Sequence, residues 1–174
     1  VSTLDVTDMR RMHLDQFSPS LNRLARRLAD LEVDDSALQG LVTLVSQWDG
    51  RLSIDSPATA VCEVFGLLLQ KVVMQAKLDA GRQPDCAGHT LSARVLGVGP
   101  TPGIQDATFF SHRLWEWMYA ALERPDWHWF DLGGDERRDD VMRVALRRTY
   151  DYLRDRLGEP QAPDYRNWAW GRLH

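Results

Sequence analysis

Apolar positions recur at helical spacing along nearly the whole chain, so the pattern predicts a protein built from helices. In VTDMRRMHLDQFSPSLNRLARRLADL, Thr7 is the expected N-cap, with Asp8 in the first turn where a negative charge suits the helix dipole. Met9, Met12 and Gln16 follow at helical spacing, and Leu21, Leu24 and Leu28 resume it. Between the two runs, Ser18 and Pro19 predict a kink or a split. The stretch DDSALQGLVTLVSQWDG gives a second helix. Ser36 and Gln39 have capping-box spacing, and Leu38, Leu41, Val42 and Val45 form an i, i+3, i+4, i+7 stripe. Trp48 ends it and Asp49-Gly50 turns the chain.

The third helix starts with Ser56 as N-cap and Pro57 at the first helical position. From Ala58 to Gln70 the only charge is Glu63, so this helix is apolar around most of its circumference and is expected at the centre. Residues 80–106 are rich in Gly and Pro, carry no sustained period, and predict a long loop. Helix resumes in ATFFSHRLWEWMYAALERP, with Leu114, Trp117, Met118 and Ala121 on one face and Pro125 as the stop. DWHWFDLGGD is an aromatic turn. The last long helix should bury Val141, Val144, Ala145, Tyr152 and Leu153, pair Asp139 with Arg143 on its outer face, and end at Gly158 and Pro160. The expected fold is an all-α, irregular array of about five to six helices.

Composition changes this picture little. With 174 residues, 44% apolar and 26% charged, the chain is ordinary globular material, able to bury roughly 70% of its unfolded surface. A net charge of −4 gives no whole-chain attraction to nucleic acid. The two cysteines, Cys62 and Cys86, have no zinc spacing, and Cys62 falls mid-helix, where a buried free thiol is expected. No run of about 18 consecutive apolar residues predicts a membrane span. The nearest, Val61 to Met74, contains Glu63 and Lys71. The start, at Val1, has no basic and apolar leader pattern, and the finish, NWAWGRLH, sets two tryptophans near the terminus. Both ends are therefore expected to be cut from a larger protein, with residues 1–174 as one helical segment of it.

Candidate chemistry is sparse. His112 and Glu116, four apart on one helix, could share a metal ion, but sequence offers no third ligand. Ser111 and His112 are adjacent on a helix and point apart, so they form no dyad, and His89 near Ser92 has no further support. GVGPTPG has Pro102 where a dinucleotide loop needs glycine, and it follows helix instead of strand. Arg10, Arg11, Arg23, Arg26 and Arg27 make the first segment basic, but Asp8, Asp15 and Asp30 lie close and favour a solvated face. Seven tryptophans are many for this length, and core or interface packing is their default use.

The order of several segments carries more. DMRRMHLDQFSPSLNRLARRL, LVTLVSQWDGRLSIDSPATAVCEVF, ERPDWHWFD, LRDRLGE and YRNWAWGRLH resemble consecutive parts of the penicillin acylase (penicillin amidase) family. The WDG at 48–50 followed by DSPA at 55–58, and WAWGRLH at 168–174, resemble hallmarks of that family. The resemblance implies an N-terminal-nucleophile (Ntn) amidohydrolase made by autoproteolysis of a precursor into a small and a large chain. The new N-terminal serine is then the nucleophile, its own α-amino group the base, and an asparagine helps to hold the oxyanion. It also implies a four-layer αββα sandwich and acylated-amine substrates, either β-lactam antibiotics or N-acyl homoserine lactones. None of the catalytic positions matches a residue between Val1 and His174, so no catalytic, cofactor-binding or metal-binding residue is assigned.

On this resemblance the chain is a non-catalytic helical part of the large chain. Its partners are the remainder of the acylase (sandwich core and small chain) and, through that enzyme, a small acyl-amide substrate, with no nucleic acid and no membrane. No cofactor is expected here, and any structural calcium would sit elsewhere in the parent, whose compartment (periplasmic or extracellular among them) is left open. Trp168 and Trp170 are expected to expose apolar surface toward a missing sandwich layer. A different class stays open beside it: a free-standing helical module that binds a ligand or a protein through its aromatic groups.

Overall fold

The computed structural model describes residues 4–82, 109–124, 126–131 and 137–173, and at 109–114 the backbone alone. Its described residues form six α-helices and no strand: α1 (Val6–His13), α2 (Pro19–Ala29), α3 (Ser36–Ser46), α4 (Pro57–Leu78), α5 (Phe109–Leu122) and α6 (Arg138–Leu157). Three short 3-10 turns, His128–Phe130, Arg166–Trp168 and Trp170–Leu173, complete the order.

Local chemistry sets the helix starts. Pro19 and Pro57 stand at first helical positions, and the Ser18 and Ser56 hydroxyls accept from Leu21 N (3.3 Å) and Thr59 N (3.1 Å). Asp35 caps α3 by accepting from Ala37 N (2.9 Å) and Leu38 N (3.1 Å). Gly158 ends α6 with φ +82°, a left-handed conformation that glycine adopts without a Cβ penalty.

Helix α4 is the axis of the array. It packs on α2, α3, α5 and, most extensively, α6, and the C-terminal 3-10 turns also rest on it. Val61, Phe65, Leu69 and Val73 are fully enclosed. Each such side chain contributes roughly 1.5–3 kcal/mol relative to an exposed one, which outweighs the modest helix preference of the β-branched residues along α4. Among the described residues α4 alone is long and apolar enough to cross a membrane, but 72% of its most apolar 18-residue window is buried in protein. Nearly all the buried apolar residues of these elements form one continuous cluster.

The C-terminal segment folds back on this core. Asn167 donates to the carbonyls of Leu157 (3.3 Å) and Glu159 (2.8 Å) and accepts from Gln161 N (2.9 Å). Trp168 is fully buried, donates its indole N–H to Gly158 O (2.9 Å) and meets Tyr150 edge-on with ring centroids 5.5 Å apart. Gly171 N then donates to Ile54 O at 2.7 Å, tying this end to the loop before α4.

Several expectations hold. The all-α class, the break at Ser18-Pro19, the α3 stripe, the Ser56-Pro57 start, the central place of α4, the buried thiol of Cys62 and the Gly158 stop are all present. Others are corrected. The N-cap of α1 is Asp5, not Thr7, because Asp5 and Asp8 reciprocally bond each other's backbone N–H. Asp35 displaces Ser36 as the α3 cap, since its carboxylate reaches two N–H groups at once. In α5 Trp115 is the buried indole and Trp117 lies at the edge. In α6 the inward face carries Met142, Leu146, Thr149 and Tyr150, while Val144 is 45% exposed and Tyr152 half-buried. Arg143 pairs with Asp140 (2.7 Å), and Asp139 with Arg138 (2.7 Å). Trp168 does not wait for a missing layer; its partners lie within the chain. Cys86, most of the predicted 80–106 loop and Pro125 lie outside the described residues.

Candidate functional site

Where α2 begins, α4 passes and α5 crosses, Ser18, Ser20, Leu21, Glu63, Trp115 and Glu116 enclose a cleft of about 320 Å³. Its geometry follows from two sequence features. Gly66, one turn along α4 from Glu63, has no side chain, and the Trp115 indole fills that space. The Ser18-Pro19 start of α2 then places Ser20 on the same side, with its hydroxyl 3.5 Å from that of Ser18.

Glu63 is half-buried, and among the described residues no hydrogen bond or ion pair engages it. Burial alone pushes its carboxyl above the usual carboxylate range. Tyr119, one turn along α5 from Trp115 and 5.8 Å away centroid to centroid, is 2% exposed, and its hydroxyl has no hydrogen-bond partner. Burial raises that hydroxyl well above an ordinary phenol, and the charges of Glu63 and Glu116 add to the rise. Ser20 faces it and opposes part of that rise without closing a bond of normal geometry. The Arg23 guanidinium stacks over the outer side of the Tyr119 ring at 5.7 Å and turns toward Glu123 (3.9 Å).

The other sequence candidates do not converge here. Glu116 lines the cleft, but the side chains of Ser111 and His112 lie outside the described residues, as do His89, Ser92 and the GVGPTPG stretch. Among the described residues no three His, Cys, Asp or Glu side chains gather as a metal would require. The basic residues of the first segment are divided. Arg11 meets Asp8 at 3.7 Å, while Arg23 and Arg27 meet Glu123, just past the end of α5, a partner 96 residues from Arg27 that helical spacing could not reveal. Trp117, Trp127 and Trp129 pack on one another at 4.9–5.9 Å beside His128. Glu63 and Tyr119 went unassigned in the sequence; the one available signal was a lone charge in an otherwise apolar helix.

A second cleft, about 430 Å³, runs between α2 and α3 past Phe17, Asn22, Arg26, Val45 and Trp48. Its lining includes one cation, Arg26, and one carboxylate, Asp49, which do not pair with each other.

The penicillin amidase family profile matches residues 2–174, so the chain belongs to the penicillin amidase family, a family of acylase-like amidohydrolases. No curated protein matches the sequence significantly.

Proposed function

We propose that residues 1–174 are the helical part of an amidohydrolase that cleaves the amide bond of acylated amines, either β-lactam antibiotics or N-acyl homoserine lactones. Within it this part is architectural. The observation that carries the reading is the family match along almost the entire sequence. In the intact enzyme, catalysis falls to an N-terminal serine released by autoproteolysis, outside residues 1–174.

Two features support an architectural role. Several polar groups of the types a hydrolase uses are here engaged in holding backbone: Ser18, Ser56 and Asp35 cap helices, Thr59 and Thr149 bond main-chain carbonyls, and Asn167 clamps the turn after α6. Helix α1 buries none of its eight residues and exposes Val6, Met9 and Met12, while Leu4, Leu14 and Phe17, exposed on the segments flanking it, add further apolar surface. An eight-residue helix is marginal in water without a packed face, so α1 docks on the rest of the acylase, the sandwich core or small chain.

The test is hydrolysis measured on two purified samples, the product of the intact gene and the 1–174 polypeptide. A phenylacetyl amide or an N-acyl homoserine lactone should be turned over by the first and not by the second. Turnover by residues 1–174 alone would refute the architectural role.

A further inference from the structure

The cleft between α2 and α3 carries opposite charges on its two sides and an apolar floor between them. We infer that it binds a free α-amino acid with an apolar side chain, a ligand that the acylase reading does not require. Asn22 and Arg26, one helical turn apart on α2, supply hydrogen-bond donors along one side. Ser46 and Asp49 supply acceptors along the other, where α3 ends.

The walls are fixed by backbone bonds. Arg51 O accepts from the Trp48 indole N–H (3.1 Å), and Arg51 N donates to Asp49 Oδ1 (2.9 Å). Ser18 N donates to Gly50 O (2.9 Å), which holds this turn against the start of α2. Gly50 has φ +81°, and a Cβ added there would stand 2.6 Å from Phe17 Cε2 and 3.1 Å from Asn22 Cβ. The bare glycine thus lets Phe17 and Asn22 close on the turn that carries Trp48 and Asp49. Such preorganisation lowers the ordering cost of binding.

Arg26 and Asp49 do not pair with each other, and among the described residues no hydrogen bond or ion pair engages the Arg26 guanidinium. A zwitterion spans the gap between them. Its carboxylate accepts from Arg26 and the Asn22 amide. Its ammonium donates to Asp49 Oδ2 and to Ser46 Oγ, whose own proton goes to Thr43 O (2.8 Å). A plain carboxylate would meet Asp49 with like charge, and a plain amine would meet Arg26, so a ligand carrying both charges is favoured over either. Ala25 and Ala29, four apart on α2, and Val45 floor the cleft with small or branched apolar groups. A volume of about 430 Å³ lies within the range of small-ligand pockets. An apolar side chain reaching Phe17, 40% exposed, and the half-buried Trp48 removes aromatic surface from water.

The test is calorimetric titration of the intact gene product with L-phenylalanine. 3-Phenylpropionate lacks the ammonium, phenethylamine lacks the carboxylate, and glycine lacks the apolar side chain. Saturable binding of L-phenylalanine is expected, with each of the other three weaker. Glycine should bind at least about tenfold more weakly, the effect of one buried apolar side chain. Arg26→Gln should weaken L-phenylalanine about fivefold, the upper range for an ion pair at a solvated rim. Asp49→Asn, which keeps the oxygen that accepts from Arg51 N, should do the same. Circular dichroism checks that both variants fold, and repeating the titrations on Asp49→Asn subtracts any binding elsewhere in the enzyme. No saturable heat up to about 10 mM, or unchanged affinity in both folded variants, would overturn the inference. So would 3-phenylpropionate, phenethylamine or glycine binding as tightly as L-phenylalanine in the part lost from Asp49→Asn. Every readout is binding and none is amide hydrolysis, so these results stand apart from the fate of the acylase reading.

Discussion

Gly66 and Trp115 share one space: the indole lies where any side chain on Gly66 would have to go. A glycine in the middle of a 22-residue helix sacrifices about 1 kcal/mol of helix preference relative to alanine, and the close approach of α5 to α4 is what that sacrifice permits. Gly66→Ala should therefore destabilise despite the better helix former. Overpacking costs about 1–3 kcal/mol, so the net loss is up to about 2 kcal/mol after the gain in helix preference. Thermal unfolding should show a midpoint several degrees lower; a raised midpoint would mean that Trp115 moves aside freely.

Asn167 holds the turn after α6 with three hydrogen bonds in a site only 9% exposed. Asn167→Ala leaves Gln161 N and two carbonyls without this partner, and should cost about 2–3 kcal/mol in denaturant unfolding. Asn167→Asp should be at least as damaging at neutral pH, because it sets a carboxylate against the Leu157 and Glu159 carbonyls. Equal stability of Asn167→Asp and the natural chain would contradict the clamp.

Acid stability should carry opposite contributions from different carboxylates. Hydrogen bonds from Leu38 N and Arg147 hold Asp35 below its ordinary 3.8, and Arg27 holds Glu123 below its ordinary 4.5. Both contributions are present above those ordinary values and are lost as pH falls through the lowered folded values. Glu63 runs the other way. Its folded value lies above the ordinary 4.5, so the fold loses stability as pH rises from there through the raised value. Glu63→Gln should stabilise the protein at pH 7, with the difference shrinking below about pH 4.5. Arg147→Met should flatten the acid limb instead. Urea midpoints across pH check both signs, and a Glu63→Gln difference independent of pH would contradict the assignment.

The exposed face of α1 gives a prediction with two readouts. Met12 is 62% exposed in this chain, so Met12→Glu should change the unfolding free energy of residues 1–174 by no more than about 0.5 kcal/mol. In the intact gene product, where α1 is proposed to dock on apolar surface, the same change buries a charge and should lower the thermal midpoint clearly. Equal and small effects in both would leave α1 without a docking partner.

Much of this architecture is written in local chemistry. Ser56-Pro57 and Gly158 need only their neighbours to act as start and stop, and the Leu38–Val45 stripe needs only helical spacing. What failed was rank among similar groups. Thr7 and Ser36 are sound caps by type, yet Asp5 closes a reciprocal pair with Asp8 and Asp35 reaches two N–H groups, a matter of backbone geometry that residue type does not show. Val144 follows the apolar rule, but Thr149 is buried because its hydroxyl bonds Ala145 O at 2.8 Å. The cleft was hidden for a different reason. Its parts come from Ser18, Ser20 and Leu21, from Glu63, and from Trp115 and Glu116, and the packing of α5 over Gly66 brings them together.

The central claim, that this chain belongs inside a self-processing acylase, is tested most directly by denaturing mass spectrometry and N-terminal sequencing of the intact gene product. Two chains are expected, the larger beginning at serine and containing residues 1–174 internally. A single uncut chain scarcely longer than 174 residues would contradict it.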